Sequence, residues 1–179
     1  PAGSRPSWEP VNEMGQYRLG FCEEMGYPDQ VKSHLTQIVD QVLQQLGARN
    51  VQCVALFGST ARGELSFRQE GHGIDLFSDY ELLIVTRRSA RADSVAALQS
   101  VFDGNQARWE IASPLFHIEF SVNPMWKYVV KGPLLHNIAN YELIANGVVM
   151  YGDDVLSDQW SRVSVRNLDL GSTNDLIIE

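Results

Sequence analysis

The stretch that most restricts this chain is 51–64, VQCVALFGSTARGE, where seven mostly apolar residues stop at a glycine. A run of that length reads as a strand over 51–57. Gly58 and Gly63 then stand at the G-x-x-x-x-G spacing of a phosphate-binding loop, which continues with Lys and Ser or Thr. Here the next residues are Glu64 and Leu65. A glycine turn after an apolar strand thus carries a negative charge where a phosphate loop carries a positive one. Any phosphate site built on it needs its cation from elsewhere.

The neighbouring segments set the frame. Val31, Leu35, Ile38, Val39, Val42, Leu43 and Leu46 recur at helical spacing, predicting a helix over 28–47 with Pro28 and Asp29 in its first turn and Gly47 at its end. Residues 60–78 read as a short helix after the glycine turn followed by loop. DYELLIVT (79–86) is a second strand, 90–102 a helix and LFHIEFSV (115–122) a third strand. Residues 127–147 read as helical, with a break at Gly132-Pro133 and Gly147 as the stop; VVMYG (148–152) is a fourth strand. This order predicts an α/β (α+β) domain, a small mixed sheet flanked by helices. The divisions expected are an N-terminal extension (1–27), a core (28–152) and a C-terminal segment (153–179).

Composition removes several classes of function. The chain has 179 residues, 44% of them apolar, enough for one domain with a core. No apolar run approaches membrane-spanning length, and the start, PAGSRPSWEP, lacks a signal peptide's apolar stretch and reads as a linker or remnant. Lys and Arg number 14 against 22 acids, for a net charge of −8. That balance argues against a protein that holds nucleic acid by neutralising phosphates. Cys22 and Cys53 have neither metal-site nor disulfide-framework spacing; Cys53 lies within an apolar strand as a buried thiol, which favours a reducing cytoplasm.

The chemistry lies in the acids. Strand residues alternate between faces, so one face of 79–86 carries Asp79, Glu81, Leu83 and Val85, and one face of 115–122 carries His117, Glu119 and Ser121. If these strands are neighbours with their polar faces together, three carboxylates converge. Acids two apart on a strand are roughly 6–7 Å apart at the backbone, and at an effective dielectric of 20 they repel by about 2.5 kcal/mol. A divalent cation such as Mg²⁺, bound through carboxylate oxygens, turns that repulsion into coordination and replaces the missing lysine. Gly58 then lets the backbone approach a phosphate tail, Ser59 offers N–H and hydroxyl donors, and Arg62 remains as a side-chain cation. Each part alone has a plain reading: a structural turn, a solvated edge, an exposed polar face. Their combination in this order favours chemistry.

LFGSTARGE, SDYELLIVT and FHIEFSV together resemble the nucleotidyltransferase superfamily that includes DNA polymerase β and many small bacterial enzymes. The family pattern is an apolar strand, Gly-Ser, a short helix, an Asp-x-Asp or Asp-x-Glu strand and a third acid on a later strand. Thr60-Ala61-Arg62-Gly63 matches the continuation in bacterial members, and Ser78 with Asp79-x-Glu81 looks like the aminoglycoside branch. The likeness covers about 51–152, where Tyr151-Gly152 resembles the strand that closes the core. The spacing from Ser59 to Asp79 is longer than in the family and holds an insertion, SFRQEGHGIDLF.

The resemblance implies transfer of a nucleoside monophosphate from an NTP such as ATP to an acceptor hydroxyl of a small molecule, with release of pyrophosphate. Two Mg²⁺ ions are implied, both held by Asp79 and Glu81, with Glu119 completing one site and accepting the hydroxyl proton. Gly58 and Ser59 would hold the β- and γ-phosphates and Arg62 the leaving pyrophosphate. Alternatives are a minimal nucleotidyltransferase that modifies or neutralises a partner protein, and a catalytically silent nucleotide-binding module. Antibiotic-modifying relatives bind the acceptor with a helical C-terminal domain, whereas only 153–179 follow the core here. Either a domain is missing, another subunit (a protein partner or a homo-oligomer) builds the acceptor site, or the acceptor differs.

Overall fold

The computed structural model describes residues 17–70, 73–88, 90–109, 116–122 and 138–157. A short helix and a long one lead into the first sheet strand, which a further short helix follows: α1 (Phe21–Glu24), α2 (Asp29–Leu46), β1 (Val51–Phe57) and α3 (Gly58–Ala61). There follow β2 (Phe67–Glu70), β3 (Gly73–Leu76), β4 (Tyr80–Thr86), α4 (Ala92–Arg108), β5 (Phe116–Val122), α5 (Ile138–Asn146) and β6 (Val148–Gly152). Four strands form one sheet in the order β5-β4-β1-β6. β1 runs antiparallel to β4 and β6, and β4 runs parallel to β5, so the sheet is mixed, as expected. No helix among the described residues is long and apolar enough to cross a membrane.

The sheet is covered on both faces, and strand alternation decides what goes where. Val54, Leu56, Tyr80, Leu82 and Ile84 point into a core closed by α2 and α4. Cys53, Ala55, Leu83 and Val85 point the other way, against Leu143 and Ile144 of α5 and against Val155 and Leu156. Cys53 is a buried free thiol, and burial pushes its pKa up to about 12. Of the segment ahead of α2, the described residues 17–27 put Leu19, Phe21, Cys22 and Tyr27 into the first core. The Arg18 N–H donates to the Met150 carbonyl at 2.8 Å, on edge strand β6.

α2 ends where its sequence ends it. Pro28 (φ −59°) is its N-cap, and Gly47 (φ +81°) is its C-cap, donating N–H to the Leu43 carbonyl. α4 runs six residues past the expected 102, through a polar stretch containing Gly104. A tertiary contact accounts for the extension. Asn105 Nδ2 donates to Gln41 Oε1 at 2.6 Å, and Gln41 Nε2 returns a bond to Asn105 Oδ1 at 3.2 Å. This amide pair ties the last turns of α4 to α2, which local propensity does not register.

Part of 60–78, expected as loop, is instead a hairpin. β2 and β3 pair Phe67 with Leu76 and Glu70 with Gly73. Its inner face supplies Ile74 and Leu76, which join Leu65 and Tyr80 in the first core. Arg68 and Asp75 pair on the outer face at 2.8 Å. The alternation Ile74-x-Leu76 after Gly71-His72-Gly73 was the available signal, and strands of four residues present little of it. Of the expected helix over 127–147, the described part is α5; the Gly132-Pro133 break lies outside the described residues.

His34 is a buried member of the helical face that apolar periodicity passes over. It stacks on Trp109 with ring centroids 3.9 Å apart, and its Nδ1 lies 3.3 Å from the Tyr80 hydroxyl. Burial, and secondarily the Arg108 charge, push its pKa down from 6.5 to about 4. The folded state therefore binds fewer protons than the unfolded chain between these values. The stability contributed by neutral His34 is complete above pH 6.5 and is lost as pH falls toward 4. Urea midpoints measured from pH 7 to 4.5 should decline less steeply in His34→Gln than in wild type. Parallel declines would show that His34 does not titrate with unfolding.

Candidate active site

The glycine turn and the acidic strand meet at the end of β1. Phe57 pairs in register with Glu81, so the next residue, Gly58, lies beside the Glu81 side chain. Gly58 adopts φ +66°, a left-handed conformation that favours glycine. A Cβ at this position would stand 1.2 Å from Glu81 Oε2 and 2.3 Å from its Cδ. The carboxylate thus occupies the space a side chain would fill, and two separate constraints select glycine. The turn closes through the Glu64 N–H, which donates to the Ser59 carbonyl at 2.9 Å. Ser59 is half-buried at the start of α3, a helix of one turn.

Asp79 directly precedes β4 and is half-buried. Its backbone is held by Thr60, to which the sequence assigns no role in the chemistry. The buried Thr60 donates its hydroxyl to the Asp79 carbonyl oxygen at 3.2 Å, and the Tyr27 hydroxyl donates to the Thr60 carbonyl at 2.7 Å. Tyr27, Thr60 and Asp79 thereby join the turn to the start of β4. Behind Asp79, the Ser66 N–H donates to Ser78 Oγ at 3.0 Å, which closes the base of the β2–β3 hairpin.

The parallel ladder between β4 and β5 pairs Glu81 with His117 and Leu83 with Glu119. Paired residues share a sheet face, so this backbone register gives position 119 the face of Leu83 and Glu81, one strand away. The side chains of β5 lie outside the described residues. Among the described residues no three His, Cys, Asp or Glu side chains gather as a metal site; the described acids of the expected set are Asp79 and Glu81.

Arg62 closes α3 and is engaged by two acids. Its Nε donates to Glu64 Oε2 at 2.8 Å, and its Nη1 forms an ion pair with Glu142 Oε1 of α5. Neither partnership is legible from the motif. Glu142 stands 80 residues from Arg62 in the chain, in a helix whose packing on α3 only the fold reveals.

No protein-family model and no curated protein matches this chain. Solved structures to which it is similar include a mutant of the toxin-antitoxin MntA-HpeT, at 11% identity and TM-score 0.36 over 79% of this chain and 87% of that chain. A second MntA-HpeT mutant aligns at 12% identity and TM-score 0.37, over 79% and 86%. A toxin-antitoxin structure with AMP-PNP aligns at 13% identity and TM-score 0.34, over 76% and 87%. Likenesses of this size carry no argument about this chain's activity.

Proposed function

We propose that this chain is a nucleotidyltransferase that moves a nucleoside monophosphate from an NTP to the hydroxyl of a small-molecule acceptor and releases pyrophosphate. The observation that carries the reading is the Glu81 carboxylate seated against Gly58, where a Cβ would come within 1.2 Å of Oε2. An acid from β4 thus stands against the turn that resembles a phosphate loop and lacks that loop's lysine. A carboxylate at that place is the kind of oxygen ligand a dication site uses.

The donor set fits Mg²⁺. Asp79 and Glu81 would supply hard oxygen ligands two residues apart, and Glu119 would complete the set from the neighbouring strand. When bound, the ions supply Lewis acidity and positive charge at the α-phosphate and its leaving group. The remaining work falls to the chain. The Gly58-Ser59 turn brings backbone N–H groups and a hydroxyl to the β- and γ-phosphates, and Glu119 accepts the proton of the attacking hydroxyl. The acceptor oxygen forms its bond to the α-phosphorus as the bond to the bridging oxygen breaks, and pyrophosphate leaves with that electron pair beside Arg62. Such catalysis is mainly positioning and charge stabilisation.

The test is pyrophosphate release with Mg²⁺ and each of the four NTPs, against aminoglycosides, sugars and the purified protein itself. Release with a small hydroxyl-bearing acceptor is the expected result. Release only in the presence of a protein acceptor would move the acceptor class. If calorimetry finds no Mg²⁺-NTP binding at all, the reading fails.

A further inference from the structure

The two acids that engage Arg62 are not equivalent. The Glu64 side chain is 61% exposed, and an ion pair in water contributes little. Glu142 Oε1 is shut off from solvent and accepts no hydrogen bond among the described residues, and the Arg62 guanidinium is its ion-pair partner. A desolvated carboxylate oxygen is costly unless a cation faces it, and removing one partner of such a pair strands the other. Arg62 is therefore not free to swing toward a ligand as a mobile finger would. It stays against α5, and a guanidinium has five N–H donors, of which the Glu64 hydrogen bond uses one.

We propose that Glu142 is a positioning residue for the phosphate subsite. It anchors the Arg62 guanidinium at the glycine turn so that its remaining donors meet the departing pyrophosphate. This makes α5 part of the site, although it carries no motif residue. The proposal rests on the nucleotidyl-transfer reading. It differs from a merely structural role for α5 in that Glu142 acts only through Arg62.

The experiment compares Glu142→Gln, Glu142→Ala, Arg62→Ala, the Arg62→Ala/Glu142→Ala double variant and Glu64→Gln. The readouts are the inhibition constant of inorganic pyrophosphate, KM for the NTP, KM for the acceptor and the unfolding midpoint. Arg62→Ala and Glu142→Ala should each weaken pyrophosphate inhibition about tenfold, as expected for one charge-assisted hydrogen bond. The double variant should lose no more than Arg62→Ala alone. Glu142→Gln, which keeps an acceptor oxygen and the volume, should fall between, while Glu64→Gln and the acceptor KM stay at wild-type values. Unchanged pyrophosphate affinity in Glu142→Gln and Glu142→Ala overturns the proposal. So does a loss in the double variant that multiplies the two single losses, because Glu142 would then act independently of Arg62. Wild-type protein that releases no pyrophosphate from any NTP removes the underlying reading, and this is seen before any variant is made.

Discussion

Asp79→Asn should lower turnover by about three orders of magnitude, or ~4 kcal/mol of transition-state stabilisation, while leaving the unfolding midpoint near wild type. The two halves of this expectation have separate causes. The contact that fixes residue 79 uses its backbone carbonyl, which accepts from Thr60 Oγ1, and asparagine keeps that carbonyl and the side-chain volume. What asparagine removes is one negative charge and a strong oxygen ligand, on which binding of a dication depends. Pyrophosphate release measures the first half and thermal unfolding the second. A variant within a few-fold of wild-type turnover would remove Asp79 from the site. A collapsed midpoint would instead make Asp79 part of the scaffold.

Gly58→Ala should abolish activity to the same level as Glu81→Ala, at a modest cost in stability. A left-handed backbone costs a non-glycine residue about 1–2 kcal/mol. The added Cβ also collides with Glu81 Oε2, which it would approach to 1.2 Å. The obstructing atom is the far end of a flexible side chain, so the carboxylate moves aside and the fold survives with its site disarranged. Gly63→Ala separates the two effects. Gly63 has φ +80°, but among the described residues a Cβ there would meet only Met25, at 3.7 Å. That variant should show the same backbone penalty and keep its activity. The Gly58→Ala/Glu81→Ala double variant should be no less active than either single one. If Gly58→Ala stays active, the contact between turn and carboxylate is unimportant to function.

Much of the scaffold was legible because the patterns that make it are local. Seven mostly apolar residues before a glycine gave β1, helical spacing between Pro28 and Gly47 gave α2, and strand parity put Glu81 on the face of Leu83 and Val85. Where the sequence reading fell short, the deciding contact came from elsewhere in the chain. The end of α4 depends on Gln41, 64 residues from Asn105. The β2–β3 hairpin depends on a core that receives Ile74 and Leu76. His34 passed unnoticed because it is polar by type and buried by its stacking on Trp109.

The candidate site divides in the same way. The residue types, their order and the alternation of Asp79 and Glu81 with apolar neighbours are properties of the sequence, because adjacent strand residues must face opposite sides. Three things required strands and helices distant in sequence to find each other. These are the seat of the Glu81 carboxylate on Gly58, the register that pairs position 119 with Leu83, and the anchoring of Arg62 by Glu142. Periodicity tells which side of a strand a residue takes; only the packed chain decides what stands beside it.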